Sequence, residues 1–124
     1  MKLNNKLMKP IISACDYDTS IFGTPHKNSL IRTGNVVEIN FIAPVIAQPS
    51  GNANIIRNLP RFANGYDNPI AAWVGASRYI PDVNSKPKQL WNYEYTYIRT
   101  GNTLLTVGNW LFLNLVYITS DTNW

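Results

Sequence analysis

Alternation of apolar and polar residues, the pattern of a half-buried β-strand, recurs along this chain, whereas helical periodicity is absent from almost every window. Residues 36–46 show the alternation most clearly. Four apolar side chains fall on one face of that segment: Val37, Ile39, Phe41 and Ala43. Glu38 and Asn40 fall on the opposite face, so the segment predicts an antiparallel strand with one face toward the core.

Further apolar runs predict the other strands: residues 30–32, 70–74, 77–80, 90–98, 103–107 and 110–120. Eight prolines and seven glycines separate these runs at short intervals, and residues 48–69 form the loop-richest stretch. Short strands between frequent turns are typical of sandwiches and barrels. We therefore expect an all-β fold, an antiparallel β-sandwich or barrel over residues 30–124, preceded by a loosely structured N-terminal arm over residues 1–29.

The pentapeptide Ile-Arg-Thr-Gly-Asn occurs twice, at residues 31–35 and 98–102, each time between two β-prone runs. Glycine supplies the positive φ that a tight hairpin turn needs, and asparagine tolerates the same region. Both copies are therefore interpreted as hairpin turns with their arginines in solvent, not as binding motifs. A true internal duplication of a hairpin is the alternative, against which stands the lack of any other match between the flanking sequences.

Residues 90–98 place four aromatic side chains on one face of a single predicted strand: Trp91, Tyr93, Tyr95 and Tyr97. Flat rings pack against the apolar face of a sugar ring, so one interpretation is a sugar-stacking platform. The other interpretation is core, because large aromatic side chains bury substantial area and usually point inward. We favour core for Tyr93, Tyr95 and Tyr97.

Residues 110–118 are apolar on both alternating faces, apart from Asn114. A strand that is apolar on both sides in a small antiparallel domain needs a cover for its second face. In a chain of 124 residues, a neighbouring subunit is the simplest cover. The pattern therefore predicts a homo-oligomer.

Charged residues make up 15% of the chain, below the usual share of about 25%, and Asn, Thr and Ser supply the missing polarity. Such neutral surfaces suit sugars and protein neighbours better than polyanions. The formal net charge is +4, but the basic residues are scattered singly, so a nucleic-acid partner is not favoured. Basic residues near the aromatic strands keep a small single-stranded nucleic-acid-binding β-barrel as an alternative: Arg57, Arg61, Arg78, Lys86 and Lys88.

Catalytic chemistry finds little support in the residue types. His26 and Cys15 are the only histidine and the only cysteine, which excludes an intrachain disulfide and a zinc site built by one chain. We interpret them as a surface imidazole and a small apolar thiol rather than a nucleophile–base pair. No phosphate-binding glycine loop occurs, and no apolar run reaches the length of about 18 residues typical of a membrane span. We expect no enzyme, no metal, no cofactor and no membrane partner.

Loop and strand-end residues that combine a ring with hydrogen-bonding groups are the candidates for a ligand site. A shallow site with a few such groups is what recognition of a polyol requires. Six residues form the predicted carbohydrate-binding site: Tyr66, Asp67, Trp73, Arg78, Asp82 and Trp91.

Residues 30–41, LIRTGNVVEINF, resemble the opening strand pair of the C-terminal head domains in phage tail-fibre and baseplate receptor-binding proteins. The leucine-proline loop of such heads is similar to residues 58–62, NLPRF. Their C-terminal hairpin and final strand are similar to residues 97–107 and 110–120. The resemblance covers roughly residues 30–120.

This resemblance implies a homotrimeric head domain, an antiparallel β-sandwich or jelly-roll-like fold over residues 30–124, in the virion of a phage of a Gram-positive host, at the tail tip or baseplate. Such heads bind host cell-wall saccharides through side chains on loops and strand edges, and they contact other tail or baseplate proteins. The expected function is that of an adhesin recognising host cell-surface carbohydrate. A structural baseplate or tail protein without glycan binding is the alternative, because the loop after the leucine-proline element ends differently here.

Overall fold

A computed structural model gives the fold of residues 9–49 and 51–121; residues 1–8, 50 and 122–124 of the predicted arm and head domain lie outside the described residues. The described residues form strands and no helix. The strands are β1 (Ile11–Ser13), β2 (Asp16–Tyr17), β3 (Lys27–Thr33), β4 (Val36–Pro44), β5 (Asn54–Arg57), β6 (Pro69–Gly75), β7 (Lys86–Tyr93), β8 (Tyr97–Arg99) and β9 (Trp110–Ile118).

The nine strands of the described residues form one antiparallel sheet in the order β1-β3-β4-β9-β6-β7-β8-β5-β2. The two edge strands, β1 and β2, follow each other in the chain with only Ala14 and Cys15 between them. So short a connection spans at most about 11 Å, so the two edges of the sheet lie near each other. The sheet therefore curls, and its two halves face each other as the layers of a sandwich do.

The inner face of the curled sheet is built by alternate residues of each strand. In β4 the four side chains assigned to one face from sequence are fully buried: Val37, Ile39, Phe41 and Ala43. Ile56 of β5, Leu90 of β7 and Ile98 of β8 come from the other half of the sheet and belong to the same cluster. The rings of Phe22 and Phe41 meet edge to face at 5.3 Å. One apolar core thus joins both halves, and the prediction of an all-β antiparallel fold is confirmed.

The prediction of one strand over residues 90–98 is wrong, because this segment is a hairpin. β7 ends at Tyr93 and β8 begins at Tyr97, and these two residues pair across the turn. Glu94 and Tyr95 have φ values of 47° and 64°, in the left-handed region that tight hairpin turns use. Their conformation depends on contacts with a distant loop, since the Tyr95 amide donates to the Gly65 carbonyl at 3.0 Å.

The aromatic side chains of β7 and β8 face outward. Leu90 and Asn92 are buried at 0% and 1% exposure, so the alternate residues Trp91 and Tyr93 lie on the outer face and are half-buried. Tyr95 and Tyr97 are half-buried as well. The interpretation of Tyr93, Tyr95 and Tyr97 as core residues is therefore wrong. The interior is filled instead by the residues that alternate with the rings, namely Leu90, Asn92 and Ile98.

Two other predicted strands, residues 77–80 and 103–107, are turns, bends and irregular chain in the structure. In the first, the Ser77 hydroxyl accepts the Tyr79 amide at 3.2 Å and closes a local bend. The second follows β8, whose two edges are already paired with β7 and β5. No free edge of β8 remains for a returning strand, so the predicted hairpin over residues 97–107 does not form.

The two Ile-Arg-Thr-Gly-Asn copies therefore have different positions in the fold. The first joins β3 to β4 through a two-residue turn, with Thr33 paired to Val36, as predicted. The second ends β8 in a turn that leads away from the sheet, so its interpretation as a hairpin is wrong. The prediction of both arginines in solvent is wrong for Arg32, which is 7% exposed.

β9 lies in the middle of the sheet, between β4 and β6. Leu111 and Leu113 point into the core, while Phe112 on the outer face is only 5% exposed and pairs with Trp73 of β6. Val116 and Ile118, further along the same outer face, are 60% and 52% exposed. The chain therefore covers the first half of this strand itself and leaves the outer face of the second half open.

Residues 9–29, predicted as part of a loose arm, contribute β1, β2 and the start of β3 to the sheet. Cys15, Ile21 and Phe22 belong to the core cluster. Asn28 holds the backbone of Cys15 on both sides, accepting its amide at 2.7 Å and donating to its carbonyl at 3.0 Å. Strands of three and two residues are too short to show alternation, which is why the sequence pattern missed them.

Candidate ligand-binding site

A pocket of about 530 Å³ opens on the outer face of the sheet, where β7 and β8 lie side by side. We call it the Trp91 pocket. Its lining residues are Asp67, Gln89, Trp91, Arg99, Gly101, Asn102 and Thr103. One large ring is thus combined with an acid, a base, two amides and a hydroxyl, the mixture of apolar surface and a few oriented polar groups that small-molecule sites use.

The Trp91 ring lies against the backbone of the turn that follows β8. Gly101 has a φ of +59°, and a Cβ built on it would stand 2.8 Å from both Cδ1 and Nε1 of the indole. A contact that short is not tolerated, so a side chain at this position would push the ring away. The glycine of the second pentapeptide therefore positions Trp91 in addition to shaping the turn.

Arg99 is held on two sides. Its guanidinium carbon lies 3.7 Å from the centroid of the Tyr93 ring, and its Nη2 lies 3.3 Å from Oδ1 of Asp67. The Asp67 side chain is 65% exposed, and an ion pair this open adds at most about 1 kcal/mol to stability. The arrangement matters for orientation, because it holds a planar donor group and a carboxylate side by side at the pocket wall.

Asn92 is buried and fixes the loop that carries Tyr66 and Asp67. Its Oδ1 accepts the Asn68 amide at 2.8 Å, and its Nδ2 donates to the Asn64 carbonyl at 2.6 Å. Its backbone carbonyl accepts the Asp67 amide at 3.0 Å. Asp67 itself has a φ of 55°, which aspartate adopts more readily than most residues. A buried amide that is bonded through both its oxygen and its nitrogen thus sets the position of the acid in the pocket.

Three of the six predicted site residues lie at or beside the Trp91 pocket. Asp67 and Trp91 line it directly. Tyr66 is a neighbour that does not line it, since its ring packs edge-on against Tyr93 and Tyr95 with centroid distances of 5.8 and 5.3 Å. Tyr66 therefore supports the Tyr93 ring on which Arg99 rests.

The other three predicted residues lie elsewhere. Trp73 lines a second cavity of about 350 Å³ over β4, β6 and β9. Arg78 lies 4.8 Å from the Tyr79 ring centroid. The Asp82 carboxylate accepts the Asn84 amide at 2.9 Å and the Ser85 hydroxyl at 3.4 Å, which closes a local turn. The structure thus brings Asp67 and Trp91 together, with Tyr66 beside them, and leaves the other three residues outside the Trp91 pocket.

Four polar residues of the Trp91 pocket were not among the predicted ones: Gln89, Arg99, Asn102 and Thr103. Arg99 and Asn102 belong to the second pentapeptide, which was interpreted only as a turn. The pairing of Arg99 with Trp91 across β7 and β8 brings base and ring together. That pairing depends on the hairpin turn at residues 94–96, which the alternation of residues 90–98 did not predict. The repetition of the arginine in both pentapeptides was the one feature of the sequence that could have drawn attention to Arg99.

Nucleophile or metal chemistry has no geometric support in the described residues. Burial raises the pKa of the Cys15 thiol to about 12, which keeps it protonated and unreactive. His26 packs edge-on against Tyr79 with a centroid distance of 5.0 Å. Within residues 9–49 and 51–121, no three His, Cys, Asp or Glu side chains are grouped to hold a metal ion. In the same residues no helix has the length and hydropathy to cross a membrane.

Comparisons of the chain with protein-family models, curated proteins and solved structures found no match. The chemistry of the Trp91 pocket follows from its own residues. The indole offers a flat apolar surface, the Asp67 carboxylate accepts hydrogen bonds from hydroxyl groups, and Arg99 donates them. Such a set fits a ligand with one apolar face and several hydroxyl groups around its edge.

Proposed function

We propose that this protein is a non-enzymatic phage receptor-binding head that recognises host cell-surface carbohydrate through the Trp91 pocket. The observation that carries the proposal is the Trp91 ring held beside the oriented Asp67–Arg99 pair. A pyranose has an apolar face for the ring and hydroxyl groups for the charged pair. The resemblance of residues 30–120 to phage heads supports the virion context, at a tail tip or baseplate.

The acidic groups that line the Trp91 pocket favour carbohydrate binding over glycoside hydrolysis. Hydrolysis of a glycosidic bond uses two carboxyl groups that flank the scissile bond. Asp67 is the only acid among the residues that line the Trp91 pocket, and it is paired with Arg99. The pocket therefore offers recognition groups without the second carboxyl group that the reaction needs.

The proposal includes a homotrimer, which the exposed apolar residues of β4 and β9 support. Val36 pairs with Ile118 across β4 and β9, and the neighbouring Val116 lies on the same outer face. All three are exposed, at 41%, 52% and 60% respectively. An exposed apolar row in the middle of a sheet fits contact with further copies of the chain. Light scattering at micromolar concentration is expected to give the mass of a trimer, and a monomer would contradict this part of the proposal.

The test of function is binding to a glycan array and to purified cell walls of Gram-positive bacteria. The wild-type protein is expected to bind, and Trp91→Ala and Arg99→Ala are expected to lose binding while remaining folded. Tyr97→Ala is the matched aromatic control, because Tyr97 lies on β8 outside the pocket. Arg57→Ala is the matched arginine control, since Arg57 pairs with Asp18 at 3.6 Å on the neighbouring strand β5. The absence of any glycan or cell-wall binding would refute the proposal.

A structural virion protein is the second candidate function, favoured by the same exposed row of Val36, Val116 and Ile118. That function predicts tight association with another tail or baseplate protein and no glycan binding. Val116→Asp would then abolish association, while Trp91→Ala would leave it unchanged. Retention on single-stranded oligonucleotides that falls steeply with salt would instead favour the nucleic-acid alternative.

A further inference from the structure

The Trp91 pocket has two further cavities beyond it on the outer face of the sheet. A middle section of about 450 Å³ shares Gln89 with the Trp91 pocket. The same section shares Ala71 with the cavity of about 350 Å³ that Trp73 lines. The three cavities therefore lie next to one another across β7, β6 and β9, and we call this surface the outer groove.

The length of the outer groove exceeds one sugar ring. Pro69 pairs with Trp91 at one end of β6, and Trp73 pairs with Phe112 near the other end. Four residue steps along β6 correspond to about 13 Å, and the step from β7, which carries Trp91, to β6, which carries Trp73, adds a lateral shift of about 5 Å. A ligand that touches both tryptophans must therefore be a chain of several units.

The middle section of the outer groove is lined mainly by short side chains. Pro69 and Ala71 of β6 lie beside Pro87 and Gln89 of β7, and all four line this section. The alanine and the two prolines have short side chains that leave this section open. Gln89 supplies an amide at the point where the middle section meets the Trp91 pocket.

The Trp73 end combines apolar walls with two amide side chains. Trp73 and Tyr79 are 43% and 56% exposed and line the cavity together with the buried Phe112. Asn40 and Asn114 pair across β4 and β9 and line the same cavity. An acetamido group presents one methyl, one N–H donor and one carbonyl acceptor, which match this combination of apolar and amide surface.

The charged side chains of the outer groove nearly cancel. Asp67 and Arg99 form an ion pair at the Trp91 end. Lys88 also lines the middle section, but it alternates with Pro87 and Gln89 and pairs with the buried Ala72, so its side chain belongs to the opposite side of β7. A polyanion such as a phosphate-rich polymer draws on several cations along its length, whereas an uncharged chain does not.

We propose that the outer groove binds an uncharged linear oligosaccharide containing N-acetylated sugars, with one unit on Trp91 and another in the Trp73 cavity. This inference rests on the proposed carbohydrate recognition and adds the length and the class of the glycan. The Trp91 pocket provides the first contact, and the Trp73 cavity provides the second contact for a chain long enough to reach it.

The test is calorimetric titration of the full chain with chitin oligosaccharides, from N-acetylglucosamine to the hexasaccharide. Affinity is expected to rise by at least about tenfold from the monosaccharide to the longer oligomers, since a second aromatic contact is then made. Trp73→Ala is expected to remove this gain, so that the affinity for the hexasaccharide falls close to the affinity for the monosaccharide. Asn114→Ala, an exposed position, provides a second variant that tests the same cavity if Trp73→Ala unfolds.

The experiments distinguish a failure of the extended binding site from a failure of the proposed carbohydrate recognition. Equal affinity for the monosaccharide and the hexasaccharide, or unchanged hexasaccharide binding in both Trp73→Ala and Asn114→Ala, would overturn the extended site. Binding to other glycans of the array with no binding of chitin oligosaccharides would overturn the assigned glycan class. In each case the loss of array binding by Trp91→Ala would still uphold the Trp91 pocket. No glycan binding at all would overturn both.

Discussion

Two regions of the molecule share the sequence Ile-Arg-Thr-Gly-Asn and turn opposite sides of it toward the core. In the first copy Arg32 faces inward and is 7% exposed, on the same side as the buried Leu30. In the second copy Ile98 and Thr100 face inward with 0% exposure, and Arg99 faces outward. The same arginine is thus an interior group in one place and a pocket wall in the other.

Pairing partners explain the difference. Arg32 lies opposite Val37 of β4, which is fully buried, so its side chain shares that inner face. Arg99 lies opposite Trp91 of β7, which is on the outer face. Because side chains alternate along a strand, a change of register by one residue reverses every side chain of a segment.

What the two copies keep in common is the local turn. Gly34 and Gly101 have φ values of 61° and 59°, a conformation that glycine adopts without steric cost. The comparison teaches that a short peptide determines its own backbone bend, whereas the direction of its side chains depends on the strands beside it.

The sharpest test of the comparison is replacement of each arginine by alanine. Arg32 donates to the Asp121 carbonyl at 2.5 Å and to the Gly34 carbonyl at 3.4 Å from a buried position. Arg32→Ala is expected to lower the free energy of unfolding in urea by about 3 kcal/mol, since charged hydrogen bonds are lost inside the protein. Arg99→Ala is expected to cost at most about 1 kcal/mol and to abolish glycan binding. Equal losses of stability would contradict the assigned orientations.

The threonines provide the second test. The Thr100 hydroxyl is buried and accepts the Ala53 amide at 3.1 Å. Thr100→Val is expected to lower the free energy of unfolding by about 2 kcal/mol, because that amide loses its partner. Thr33→Val is the matched control, since Thr33 lies on the opposite side of its strand from the buried Arg32, and we expect a change near zero. A large loss from Thr33→Val in denaturant unfolding would break the comparison.

Alkaline pH tests the surroundings of the first copy. Burial raises the pKa of Cys15 from 9.0 to about 12, and burial also raises the pKa of Tyr117, which is opposite Val37. The unfolded chain loses the Cys15 proton above its ordinary pKa while the native protein keeps it. Stability is therefore expected to fall as pH rises from about 9 toward 12, by about 1.4 kcal/mol per pH unit for this thiol.

Cys15→Ala is the control for the pH experiment. Unfolding in urea at a series of alkaline pH values is expected to show a shallower fall for this variant than for the wild-type protein. The remaining fall belongs to Tyr117, whose phenol also keeps its proton in the native protein. An identical pH dependence of both proteins would show that the Cys15 thiol titrates normally.

The glycines give the smallest expected change in stability. Gly34→Ala and Gly101→Ala are each expected to cost about 1 kcal/mol, because both place an alanine in the left-handed region. Only Gly101→Ala is expected to weaken glycan binding, since its Cβ would collide with the Trp91 ring. Thermal unfolding and titration with the best glycan of the array measure the two effects separately. Loss of glycan binding in Gly34→Ala as well would contradict the assignment of the effect to the contact between residue 101 and the Trp91 ring.

The predictable part of the fold and site followed from local patterns. The alternation in β4 correctly identified its inner face, and loop composition singled out Asp67, which lines a pocket together with Trp91. Asn92 escaped notice because an asparagine between two aromatics looks like a surface residue until its loop partners are known. Arg99 escaped notice for a related reason, since its pairing with Trp91 requires the turn at residues 94–96.

The sequence by itself determined the all-β class, the inner face of β4 and the bends at both pentapeptides, because these depend on neighbours along the chain. Only the tertiary structure decided that Arg32 is interior and that Arg99 belongs to a pocket. The physical reason is register: hydrogen bonds to β4 in one case and to β7 in the other set which side of the same five residues meets the core.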